Sequence, residues 1–143
     1  MTVEVFVDGA CRNNGIPGAT LQAACAVVIY EKRKEIARFV RPLGQRSNNQ
    51  AEYEALIMAL LMCRMSDLVD PIIYSDSAVV VNQVTGKWRC THPSLIPLFY
   101  AVESLSTDYS FHLSHVPRKF VRVADKLCNK CLDDLASSEI MNQ

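Results

Sequence analysis

Residues 3–9 read Val-Glu-Val-Phe-Val-Asp-Gly. Val3, Val5 and Val7 alternate with other residues, which is the period of a strand whose successive side chains point to opposite faces. Asp8-Gly9 carries turn chemistry, so the strand is expected to stop there with Asp8 at its C-terminal edge. Ligands of open α/β sheets gather at that edge. A lone Asp-Gly usually does no more than cap a turn, so the meaning of Asp8 depends on the other acids.

Outward from this strand, a glycine-studded turn over Gly9–Gly18 is expected, then an apolar strand over Gln22–Tyr30 and an alternating strand over Glu35–Val40. The short connections predict an antiparallel meander. The strongest helical pattern covers Gln50–Met65. Ala51, Ala55, Leu56, Ala59, Leu60 and Cys63 recur at helical spacing, with Ile57, Met58, Leu61 and Met62 extending the apolar surface nearly all round. Such a helix is expected to lie buried against the sheet. Pro71–Ser75 reads as a fourth strand, reached through the helix and so parallel to a neighbour. Helices over Ser77–Val84 and Leu95–Leu105, a strand over Tyr109–Val116 and a helix from Phe120 to about Ser137 complete the chain. The order β-β-β-α-β-α-α-β-α predicts one three-layer α/β domain over residues 1–143.

The 143 residues, half of them hydrophobic, can bury a core and argue against disorder. No apolar run reaches the roughly 18–20 residues that span a bilayer. The chain begins directly in a strand pattern, so a cytoplasmic protein without an export leader is expected, with its six cysteines reduced. Cys128-x-x-Cys131 lies in a helical pattern without a second such pair, which leaves a metal or redox site open beside simple burial. Fifteen basic and fifteen acidic residues cancel. The bases cluster at Lys32–Lys34 and among Lys87, Arg89, Arg118, Lys119, Arg122, Lys126 and Lys130, which is either a solvated face or a phosphate-binding one.

Asp8 and Asp76 share a context, each ending an apolar strand. On parallel neighbours they would stand about 4.8 Å apart. Carboxylates that close repel unless a cation lies between them, and two divalent ions about 3.5–4 Å apart would suit the spacing. Glu52 opens the long helix and is either part of a capping box with Asn49 or a third acid of the same site. Asp125 reads as a helix N-terminal acid, and His115 as a strand-end histidine with a structural or a chemical role.

Four blocks, FVDGACRNNG, NNQAEYEAL, YSDSAVVVNQVTGKW and HVPRKFVRVADKLCN, together resemble ribonuclease H of the type 1 class, in order and spacing over essentially the whole chain. The resemblance implies a ribonuclease H-like fold, a five-stranded mixed sheet with three antiparallel strands followed by two parallel ones, flanked by helices. It implies four metal-binding acids, Asp8, Glu52, Asp76 and Asp125, with His115 assisting water activation or product release. Cys11, Asn14, Ser47, Asn48, Asn49 and Trp88 are the implied substrate contacts, Trp88 standing equally as a core residue. The chain departs from the family's pattern at Val121, where Asn is usual. The segment after Gly86 leaves no room for the basic protrusion of some members, and no hybrid-binding domain is expected before Met1.

Hard oxygen ligands with open positions favour two Mg²⁺ ions, Mn²⁺ substituting. The implied activity is endonucleolytic hydrolysis of the RNA strand of an RNA–DNA hybrid by a monomer with no obligatory protein partner. A related nuclease for other duplexes such as double-stranded RNA, and a non-catalytic nucleic-acid binding module, remain as alternatives.

Overall fold

Val3, Val5 and Val7 are fully or nearly fully buried on one face of strand β1, which runs Val3–Arg12 in a computed structural model describing residues 2–14 and 16–141. The strand does not stop at Asp8-Gly9. Both residues are internal to β1 and pair with Ala26 and Cys25 of β2 (Gln22–Glu31). The expected turn therefore begins later, past Arg12, because the pairing with β2 satisfies the backbone that the Asp-Gly pair was expected to turn.

β2 turns into β3 (Lys34–Gly44) through Lys32 and Arg33, both at positive φ, the hairpin turn whose twist matches the strands it joins. Helix α1 (Asn48–Met65) follows, then β4 (Ile72–Ser75), α2 (Ala78–Val84), α3 (Ile96–Ser106), β5 (His112–His115), a 3₁₀ turn (Arg118–Val121) and α4 (Arg122–Met141). The sheet order is β3-β2-β1-β4-β5. β1–β2 and β2–β3 are antiparallel, whereas β1–β4 and β4–β5 are parallel, as expected. β5 is shorter than Tyr109–Val116, and the last helix is preceded by a 3₁₀ turn where a continuous helix from Phe120 was expected.

Two cores flank the sheet. On one face Val5, Val7, Val27, Ile29 and Ile73 meet Tyr53, Leu56, Ala59, Leu60 and Cys63 of α1. The other core is thinner: Ala24, Ala26 and Val28 meet Ala124, Cys128 and Leu132 of α4 at four-residue spacing. α1 is not buried all round, since Leu61 and Met65 are exposed on its far side. Trp88 is half exposed, which removes the core reading for it. No described helix is long and apolar enough to cross a membrane. All six cysteines are unpaired. Cys128 is buried with its Sγ 3.4 Å from the Asp8 carbonyl, and no cysteine group able to hold a metal occurs among the described residues.

α1 crosses β1 at Gly9. A Cβ there would collide with the backbone of Ala51 and Glu52, which cannot rotate aside as a side chain would. Gly9→Ala should therefore cost about 3 kcal/mol or more, the upper part of the range for overpacked cores. Urea unfolding measures this, and a loss below about 0.5 kcal/mol would be incompatible with so close a crossing.

Candidate active site

β1 and β4 pair in register only from Glu4–Ile72 to Phe6–Tyr74. The same register continued by two residues sets Asp8 beside Asp76, which follows the last residue of β4. The strands part at this point and side chains can face each other across the opening. α1 supplies the third acid. Its N-cap is Ser47, whose Oγ accepts from the Gln50 N–H at 3.2 Å while Gln50 Oε1 accepts from the Ser47 N–H at 2.8 Å. The capping box is thus Ser47 with Gln50, and not Asn49 with Glu52. Glu52 is left free of any capping role.

Glu52 Oε1 accepts from the Gly9 N–H at 2.8 Å. Its other oxygen, Oε2, is buried without a hydrogen-bond partner. One carboxylate oxygen each from Asp8, Glu52 and Asp76 lie within 4.8 Å of one another. Asp8 and Glu52 are almost wholly buried. Burial, then repulsion from Glu52 and Asp76, with a smaller contribution from a side-chain hydrogen bond with Asp125, pushes the Asp8 carboxyl far above the usual carboxylate range. Burial and then Asp76 also push Glu52 up, opposed by the Gly9 N–H. A buried, unpartnered carboxylate oxygen beside two further carboxylates is a donor set suited to hard divalent cations.

The three acids line a polar cleft of about 390 Å³ together with Cys11, Asn48, Asn49, Arg118, Asp125 and Asn129. Asp125 is in the first turn of α4, where its Oδ1 is 3.4 Å from an Arg118 Nη2. It lies outside the tight three-acid group but close enough to raise the pKa of Asp8. His115 ends β5, exposed, its Nε2 3.2 Å from the Asp76 carbonyl. Asn14 accepts at Oδ1 from the Asn48 N–H at 3.3 Å, which ties the loop after β1 to the start of α1. Cys11 Sγ is 3.1 Å from the Arg46 carbonyl. Ser47 is engaged in the cap, and neither it nor Trp88 lines the cleft.

Three features of the site carry no decisive signal in the sequence. Gly9 has turn chemistry but lies inside β1. Arg118 stands among other bases with no partner implied by spacing. Asn129 is marked only by its spacing of four from Asp125, which puts both on one helix face.

In the metal-free protein the raised pKa of Asp8 has a definite sign. The folded state binds a proton more tightly than the unfolded chain, so this stabilising contribution is present below the ordinary carboxylate pKa and is lost as pH rises through the folded value. Asp8→Asn in EDTA at about pH 8 should melt higher than the parent. A rise of about 2–4 °C corresponds to ~1 kcal/mol of relieved repulsion in a domain of this size. The difference should close toward about pH 4. Melting curves with no pH-dependent gap between the two proteins would contradict a crowded, repulsive site.

Comparison with known proteins agrees with this geometry. Residues 7–131 match the family model described as reverse transcriptase-like. The bifunctional protein Rv2228c of Mycobacterium tuberculosis is 30% identical over 142 residues, 96% of this chain and 37% of its own length, so the chain spans little more than a third of that relative. Ribonuclease HI of Halobacterium salinarum is 34% identical over 133 residues, 92% of this chain and 65% of its own. The crystal structure of LC11-RNase H1 in complex with an RNA/DNA hybrid matches with a TM-score of 0.85 at 27% identity, covering 94% of this chain and 99% of that one. A family model spanning most of the chain, a relative above 30% identity across nearly all of it and the structural likeness to LC11-RNase H1 together make this chain a member of the ribonuclease H family.

Proposed function

We propose that this protein is an endoribonuclease that hydrolyses the RNA strand of RNA–DNA hybrids in a reaction dependent on two divalent ions, Mg²⁺ by preference. The observation that carries this reading is the group of Asp8, Glu52 and Asp76 oxygens within 4.8 Å, one of whose carboxylates keeps a buried oxygen with no partner. Family membership and the hybrid bound to LC11-RNase H1 support the same substrate class.

Asp8, Glu52 and Asp76 would hold the ions, with Asp125 completing the set from α4. Divalent ions held there would lower the pKa of water at neutral pH and offset the charge that develops on the leaving oxygen. Asp8 and Glu52 are the more buried of these acids. The Gly9 N–H holds one oxygen of Glu52 and so aims the other into the cluster. His115 is exposed at the rim, near enough to Asp76 to move a proton between the site and solvent. Asn48 and Asn49 line the cleft, and Asn14 is bonded to the backbone of Asn48. Short amide side chains at this rim can donate to or accept from a 2′-hydroxyl, which distinguishes RNA from DNA. Cys11 lines the same wall. Ser47 and Trp88 stand outside it, and exposed Trp88 with Lys87 and Arg89 suits a backbone contact.

Labelled RNA–DNA, RNA–RNA and DNA–DNA duplexes in Mg²⁺ test the substrate. Cleavage of the RNA strand of the hybrid alone is expected, abolished by EDTA and restored by Mg²⁺ or Mn²⁺ but not by Ca²⁺, whose longer bonds and higher coordination fit the site poorly. Preferential cutting of double-stranded RNA would give the other nuclease reading, and binding of hybrid without cleavage in any metal would give the non-catalytic one.

His115 and Asp125 should separate by variant kinetics. His115→Ala should lower kcat within roughly 10²–10⁴-fold, the range of a proton-transfer group, with metal dependence unchanged. Asp125→Asn should act through the metal, with its loss in Mg²⁺ partly recovered in Mn²⁺. Parallel behaviour of the two variants across metals would remove the distinction.

A further inference from the structure

Asp125 is held from within its own helix. Asn129, one turn on, donates its side-chain amide to the Asp125 carbonyl at 3.0 Å and to Asp125 Oδ1 at 3.3 Å. The same turn of α4 is fastened to the sheet by Arg12, whose Nη2 donates to the Asn129 carbonyl at 3.2 Å and to Asp133 Oδ1 at 2.6 Å. Asp125, Asn129 and Asp133 therefore form a polar stripe at helical spacing. It runs beside the apolar stripe of Ala124, Cys128 and Leu132 that packs on the sheet. Arg12 belongs to β1, the strand that carries Asp8. The connection thus runs from one acid of the cleft to another by way of α4.

Asn is a poor residue for a helix interior, because its amide competes with backbone hydrogen bonds. Among the described residues its amide donates to the main-chain carbonyl and the Oδ1 of Asp125 and to no more distant partner. Asn129 also lines the cleft in which Asp8 and Asp76 lie. We propose that Asn129 is a positioning residue: it holds the Asp125 carboxylate by Oδ1 and leaves Oδ2 for an ion, while Arg12 locks that turn of the helix against β1. This rests on the reading of Asp125 as an ion ligand. Asp125 is partly buried and its Oδ1 also meets Arg118 at 3.4 Å; without the Asn129 amide it would keep more rotamer freedom to lose on capturing an ion. Outer partners that orient ligating carboxylates are worth about 10–100-fold in metal affinity.

The test uses the whole chain carrying Asn129→Leu or Asn129→Gln. Leu removes the donor, and Gln keeps it within reach of a residue four positions earlier. Mn²⁺ is titrated against melting temperature without substrate, and against hybrid cleavage separately. Asn129→Leu should raise the Mn²⁺ concentration needed for half the effect by about 10–100-fold in both assays, whereas Asn129→Gln should stay within about threefold of the parent. Melting in EDTA and KM for the hybrid should be unchanged in both variants. If the Leu protein does not fold, Asn129→Ala takes its place with the same expectation. A parent-like metal midpoint in the donorless variant overturns the proposal, as does a Gln variant impaired as deeply as Leu. A parent that responds to Mn²⁺ in melting but cuts no hybrid would sink the functional reading and leave Asn129 to be decided by the melting titration. A parent with no Mn²⁺ response would overturn the positioning role together with the ion site.

Discussion

The first turn of α1 lies on the backbone of β1 at Gly9, so close that no side chain fits between them. The contact gives Glu52 its one hydrogen-bond partner among the described residues, the Gly9 N–H at 2.8 Å. A carboxylate held by one oxygen has the direction of the other determined for it. That second oxygen is buried, and a Glu52 carboxylate oxygen lies within 4.8 Å of one from Asp8 and one from Asp76. If the helix stood farther off, the glutamate would reach solvent and its charge would be screened there. The crossing at a glycine therefore sets both how α1 packs on the sheet and what the cleft can bind.

Such a cleft works against the stability of the protein that contains it. Two nearly buried carboxylates and a third within 4.8 Å repel one another, and burial removes the water that would weaken the repulsion. The remaining fold has to offset this cost. It does so with two apolar layers, the deeper one formed by α1 on β1, β2 and β4, the thinner by α4 on β2. The alanines on both sides of the thinner layer let α4 approach closely, which brings Asp125 to the rim of the cleft. Strain of this kind is characteristic of sites that await a ligand, since the ligand supplies the missing countercharge.

Much of the architecture was legible in the chain. Period-two alternation marked β1 and β3, an apolar run marked β2, helical spacing marked α1, and the long connection before β4 implied a parallel pair. Element ends were read less well, for local reasons. Asp8-Gly9 carries turn chemistry but pairs with Ala26 and Cys25 instead. Asn49 and Glu52 have the spacing of a cap, yet Ser47 and Gln50 form it two residues earlier. In both cases several residues suited the local role, and packing chose between them.

The identities of the acids, and the matching strand-end contexts of Asp8 and Asp76, are properties of the sequence alone, as is the block order that resembles ribonuclease H. Alternation and spacing are local, and local patterns survive in the order of residues. Only the tertiary structure decided that Glu52 is free of its cap and fastened to Gly9, that Arg118 and Asn129 share the Asp125 carboxylate, and that Arg12 reaches α4 from β1. Two of these contacts, Glu52 to Gly9 and Arg12 to α4, join residues far apart in the chain. Their partners are selected by which backbones approach closely enough, and that distance is set by the packing of whole helices on the sheet.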